Sequence, residues 1–304
     1  MSKSFTLIEI LVVIVIVGIL SAFIIVSMAG VSDKANIAKG QAFANSLRNS
    51  LLINLVSEWK FDELSSPISQ GSAIQDSWGG GNNGTITSND SNDRLRSGSD
   101  CVFGKCLYFD GGDYVNCGTK SNLEFGTVSF TMAGWFRTSS YGGGAPIMGK
   151  GNITTVSDKY GMRFIAANRI CIDFADGTNG GQCFLDYIGN FNVSDNKWHF
   201  VVATINRTTQ KILTYLDSKY ITQADISSIG SVASGAYFGI GAYGGSGAFQ
   251  GYVDGMAIYG ETLSSFQIQQ NYYSGLNRIF LASGDRKEHG RRLSEMKIHF
   301  GLTE

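Results

Sequence analysis

Phe130-Thr131-Met132-Ala133-Gly134-Trp135-Phe136 is apolar on odd and even positions alike. A strand with one solvated face alternates apolar and polar residues, so a strand apolar on both faces belongs between two layers. Val201-Val202-Ala203 repeats the pattern. Around these lie further period-two segments, Leu107 to Phe109, Tyr114 to Cys117, Val128 to Arg137, Tyr160 to Ile165, Arg169 to Phe174, Lys197 to Ile205, Lys211 to Leu216, Tyr237 to Ile240 and Gly251 to Tyr259. Gly, Asn, Asp and Ser clusters separate them. About ten to fourteen strands over roughly 220 residues predict a β-sandwich, of the jelly-roll kind. Ser264-Ser265-Phe266-Gln267 has the form of a capping box and predicts a short helix through Gln270 towards Tyr273.

Composition agrees. The chain has 304 residues, 39 of them Gly, with 12% aromatics and two Pro, which describes a folded chain and not a disordered one. Lys+Arg number 24 against 25 Asp+Glu, a net charge of -1, so no nucleic-acid partner is expected. The three histidines, His199, His289 and His299, form no close pair, which argues against a zinc site or a local His-based dyad.

The front of the chain is different in kind. Ile10 to Val26 carries no charge, and Phe5 to Ala29, 25 residues, is interrupted only by Thr6, Glu9, Gly18, Ser21 and Ser27. About 20 apolar residues suffice to cross a bilayer. A secretory signal peptide would account for the hydropathy but not for Glu9, because a carboxylate ahead of such a run is costly in hydrocarbon and needs a partner. Phe43, Leu47, Leu51 and Leu55 then recur every four residues in a stretch without Pro, continuing the helix as an amphipathic stem. Residues 5–57 predict a rod of about 80 Å at 1.5 Å per residue, with Gly18 and Gly30 as places to bend.

Lys3-Ser4-Phe5-Thr6-Leu7-Ile8-Glu9 followed by the apolar run resembles the amino terminus of type IV pilins and pseudopilins. The resemblance implies a leader at residues 1–4, cleavage by a prepilin peptidase between Ser4 and Phe5, methylation of Phe5, and Glu9 as the assembly residue. Ser4 stands where that family usually has Gly. In a filament Glu9 would be neutralised by the free amino terminus of a neighbouring subunit.

A second resemblance covers residues 58–278. Trp59-Lys60-Phe61-Asp62-Glu63, Asp76 through Gly81-Asn82-Asn83-Gly84-Thr85, Phe109-Asp110-Gly111, Phe130 to Phe136, Lys197-Trp198-His199-Phe200-Val201 and Gly251-Tyr252-Val253-Asp254 with Tyr259 and Leu263-Ser264 look like a laminin-G-like, concanavalin A-like lectin/glucanase jelly roll. Relatives imply a structural calcium, here at Asp62, a backbone oxygen around Asn83 or Gly84, and Asp254; the other reading is that these acids cap turns. Hydrolases of the fold carry a Glu-x-Asp-x-x-Glu segment, and the nearest stretch, Glu58 to Glu63, has the wrong spacing, so no enzyme is expected.

Five cysteines suit an exported domain. Cys101 with Cys106 and Cys171 with Cys183 are the expected pairs, Cys117 staying free, with Cys106–Cys117 as the rival. Trp78, Tyr141 and Tyr243, each beside a Gly-rich turn, are candidates for stacking on a sugar ring. The tail, 279–304, is mixed and locally basic, and Met296, Ile298, Phe300 and Leu302 alternate like a short strand.

The expectation is therefore an α+β chain: a long pilin helix, then an all-β jelly roll. It would sit first in the cytoplasmic membrane and then in a surface filament of like subunits, presenting an adhesive head to a glycan or protein. A monomeric adhesin on an uncleaved span and a tethered carbohydrate-active enzyme are the alternatives.

Overall fold

The computed structural model describes residues 7–8, 11–17, 54–87, 94–97, 100, 101–140, 144–152, 157–166, 169–186, 192–243 and 249–283. Two compact units divide the chain, 1–53 and 54–304. In the first, residues 7–8 and 11–17 are helical and exposed. Among the described residues no helix is long and apolar enough to cross a membrane. Ser4, Phe5 and Glu9 lie outside the described residues.

Among its described residues the second unit holds sixteen strands: β1 (Leu55–Trp59), β2 (Ala73–Ile74), β3 (Gly84–Thr87), β4 (Arg94–Ser97), β5 (Lys105–Asp110), β6 (Tyr114–Asn116), β7 (Phe130–Arg137), β8 (Pro146–Lys150), β9 (Lys159–Ala166), β10 (Arg169–Ala175), β11 (Gly180–Asp186), β12 (Trp198–Asn206), β13 (Lys211–Leu216), β14 (Lys219–Asp225), β15 (Phe238–Ile240) and β16 (Gln250–Tyr259). One sheet runs β14-β13-β12-β7-β16-β5-β4, with β1 also on β16, and the other runs β11-β10-β9-β8-β15-β6-β3-β2. Every pairing is antiparallel.

Between the sheets aromatic rings meet across the gap. Trp59 stacks on Phe238 at 5.4 Å, and Phe130 and Phe136 meet Tyr160 and Phe164 edge-on, each at 4.9 Å. Such offset and edge-to-face contacts add to the burial of large apolar area. The core therefore occupies the inner faces of both sheets.

The outer face of β7 is covered by a helix, Ser265–Ser283. Trp135 on β7 stacks on Tyr272 of that helix at 5.6 Å with planes 9° apart, and Phe200 of β12 lies 6.5 Å from the same ring. Gly275 makes the approach possible, since a Cβ there would sit 2.4 Å from Trp135. The capping box forms as expected, the Ser264 amide donating to Gln267 Oε1 at 2.9 Å and the Gln267 amide to Ser264 Oγ at 3.3 Å.

Two boundaries move. Residues 55–57, expected in the stem helix, belong to β1, because the buried Leu55 and Ser57 alternate with half-buried neighbours and pair with Tyr259 and Ile258. The four-residue spacing of Leu51 and Leu55 is equally compatible with a strand start, and pairing with β16 decides it. The C-terminal helix runs past Tyr273 to Ser283, so the first residues of the expected tail, 279–283, are helical.

Candidate functional site

Asp62 and Asp254, the two acids expected at a metal, are neighbours, and one short loop serves both. Cys101 and Cys106 form the expected disulfide, with Cα atoms 5.4 Å apart. Within this loop the amides of Val102 and Phe103 donate to Asp254 Oδ2 at 2.9 and 2.7 Å, and the Lys105 amide donates to Asp62 Oδ1 at 2.8 Å. Gly104 takes φ +40 between them, and a Cβ there would lie 2.0 Å from Asp62 Oδ1. Burial, reinforced by the Asp62 charge, pushes the Asp254 carboxyl well above the usual carboxylate range against the pull of these amides. Among the described residues Asp254 Oδ1 is buried with no hydrogen-bond partner.

Asn83 belongs to a different cluster. Its Oδ1 accepts the Asp76 amide at 2.8 Å, and the Asp76 carboxylate gathers Ser57 Oγ, the Glu58 and Trp78 amides and the Asn82 amide at 2.8 to 3.2 Å. Asp76 thereby anchors the loop that displays Trp78, whose side chain is 42% exposed and free to stack. Tyr243 is not available in this way. It is wholly buried, its hydroxyl donating to Asp173 Oδ2 at 2.9 Å, where Arg163 Nε also donates at 2.8 Å. The Gly-rich neighbourhood suggested a surface loop, and the buried Asp173 drew the phenol inward. Tyr141 lies outside the described residues.

Cys171 is also disulfide-bonded. The side chain of Cys183, its expected partner, lies outside the described residues. Cys117 is a buried free thiol, as expected.

His199 is held between two carboxylates, Nδ1 2.8 Å from Asp217 Oδ2 and Nε2 3.0 Å from Asp195 Oδ1. Burial alone would lower its pKa; Asp217 and Asp195 outweigh that and hold it above the ordinary 6.5. The acids of the Glu58 to Glu63 stretch are tied to structure as well, Glu58 to Lys60 at 2.9 Å and Glu63 to the Gln75 amide at 2.6 Å.

Sequence reasoning missed Arg137. Its guanidinium lies 4.1 Å from the ring centroid of Tyr252 and 5.5 Å from that of Trp198. The available signal was a cation closing an apolar strand, opposite a Trp opening another.

A family model described as the concanavalin A-like lectin/glucanases superfamily matches residues 109–269, and one described as the prokaryotic N-terminal methylation motif matches residues 1–25. The non-toxic nonhemagglutinin type E of Clostridium botulinum is 25% identical over 96 residues, 32% of this chain and 8% of that protein. Among solved structures, the binding domain of Paraclostridial Mosquitocidal Protein 1 superposes with a TM-score of 0.53 at 14% identity, covering 74% of this chain and 53% of that one. Domain 4 of AbnA, an extracellular arabinanase from Geobacillus stearothermophilus, in complex with arabinotriose, gives 0.52 at 14% identity, covering 71% and 97%. The chain thus spans under a tenth of that curated relative and about half of the mosquitocidal binding domain. With more than half its length inside one family model, the chain belongs to the concanavalin A-like lectin/glucanase superfamily, and it opens with the methylation motif of type IV pilin-like proteins.

Proposed function

We propose that this chain is a type IV pilin-like subunit that assembles through its N-terminal segment into a surface filament and displays the sandwich as a non-enzymatic adhesive head. The observation that carries the reading is the joining, in one chain, of an N-terminal methylation motif to a lectin-like sandwich. Processing by a prepilin peptidase, a stage in the cytoplasmic membrane and association with like subunits follow from the motif. Glycan binding is supported by the exposed Trp78 and by the sugar held by the similar arabinanase domain. The structural ties of Glu58, Asp62 and Glu63 support binding over hydrolysis. Calcium at Asp62 and Asp254 is part of the proposal: Asp254 Oδ1 offers an acceptor, while the loop amides already supply donors to both acids.

Glu9→Gln tests the assembly role. The subunit should remain in the membrane while sheared filaments fall sharply, because the lost interaction is a charge pair between subunits. Normal filament yield overturns the reading, and an uncut amino terminus with no filaments favours the anchored monomeric adhesin.

A further inference from the structure

Strand register lines up four side chains on the outer face of the first sheet. Trp198 pairs with Arg137, Arg137 with Tyr252, and Tyr252 with Tyr108, so β12, β7, β16 and β5 each contribute one residue to a straight row. Paired positions share a face. It is the face away from the core, since the adjacent Phe136, Val253, Leu107 and Phe109 belong to the core.

The next row along, Phe200 and Trp135, lies under the C-terminal helix. The Trp198 row is left partly open, all four residues being half-buried. Tyr108 and Tyr252 lie 4.8 Å apart, and the Trp198 indole is fixed by donating to the Asp100 carbonyl at 3.0 Å. Gly251, at φ +146, lets β16 close on β7 beside Arg137: a Cβ would lie 2.4 Å from the Arg137 carbonyl oxygen.

Arg137 is the unusual member. Among the described residues no carboxylate pairs with it, and its Nε is buried with no acceptor. A guanidinium held beside two rings, its Nε without an acceptor, is arranged to take a carboxylate in a charge-assisted pair. The rings beside it offer flat apolar surface to the C–H face of a pyranose.

We propose that the row of Trp198, Arg137, Tyr252 and Tyr108 binds a carboxylate-bearing sugar, Arg137 taking the carboxylate and the rings stacking on the sugar face. This rests on the reading of the head as a glycan-binding module and names its ligand class.

The test uses the full chain in detergent, titrated with a glucuronic acid-terminated oligosaccharide and its glucose-terminated counterpart. The acidic sugar should bind about tenfold more tightly, the scale of one charge-assisted pair. Arg137→Gln should erase that difference, whereas Tyr252→Leu should weaken binding of both sugars. A second readout needs no change at Arg137. In a Trp78→Phe background, with Trp59 and Trp135 buried, the emission of Trp198 should shift on adding the acidic sugar. Equal affinity for both sugars, unmoved by Arg137→Gln, overturns the assignment and leaves the glycan-binding reading standing. Absence of binding across a broad glycan panel overturns both. Displacement of the sugar by inorganic sulfate or polyglutamate at matching charge concentration overturns it in favour of a plain anion patch.

Discussion

The Asp254 carboxylate accepts the amide of Phe103, 151 positions earlier in the chain, at 2.7 Å. The contact fastens the disulfide loop onto the outer face of the first sheet, beside Trp135, the register partner of Asp254.

Asp254→Ala strands the Val102 and Phe103 amides in a buried setting. Roughly 1 to 3 kcal/mol of head stability should be lost, the cost of leaving a buried donor without its acceptor. Denaturant unfolding of a head beginning at Asn54 measures it, and the same material should first prove soluble and β-rich.

Calcium, if held by Asp254 Oδ1 and Asp62, should stabilise that head by about 2.7 kcal/mol at a hundred times its dissociation constant, and Asp254→Ala should remove the increment. Coincident melting midpoints in calcium and in chelator would leave the loop amides as the partners of both acids.

His199 makes the head more stable in mild acid. Its pKa is raised above 6.5 by Asp217 and Asp195, so its contribution is fully present below about 6.5 and is lost as pH rises through the raised folded value. Replacing it, as in His199→Gln, should flatten the fall in melting midpoint above pH 6.5 and leave lower-pH behaviour otherwise similar.

Trp78 and Tyr243 should separate cleanly. Tyr243→Phe removes a buried hydroxyl bonded to Asp173 and should cost about 1 to 3 kcal/mol of stability without altering sugar binding. Trp78→Ala, at a 42% exposed site, should change stability by less than about 0.5 kcal/mol, and any sugar stacked there should bind more weakly on the same panel.

At the amino terminus, intact-mass analysis of native protein should show a chain beginning at N-methylated Phe5. A start at Met1 would mean that Ser4 blocks processing.

The amino-acid sequence alone determined what depends on near neighbours. The methylation motif around Glu9, nine strand segments, the capping box at Ser264 and the Cys101–Cys106 pair were legible because each is a short pattern of side-chain type and spacing. β8 and β14 were not, since Pro146 opens the one and Lys219–Asp225 is a largely solvated strand at the end of its sheet, without apolar alternation. The double-sided apolar character of Phe130 to Phe136 announced two covering layers, but periodicity reports only that a face is covered and not by what. Tertiary structure decided that the second layer is the C-terminal helix at Tyr272, that Tyr243 turns inward to Asp173 across 70 positions, and that Arg137 falls in line with Trp198, Tyr252 and Tyr108. Each of these depends on which strands pair and in what register, and register is set by the simultaneous burial of the whole core.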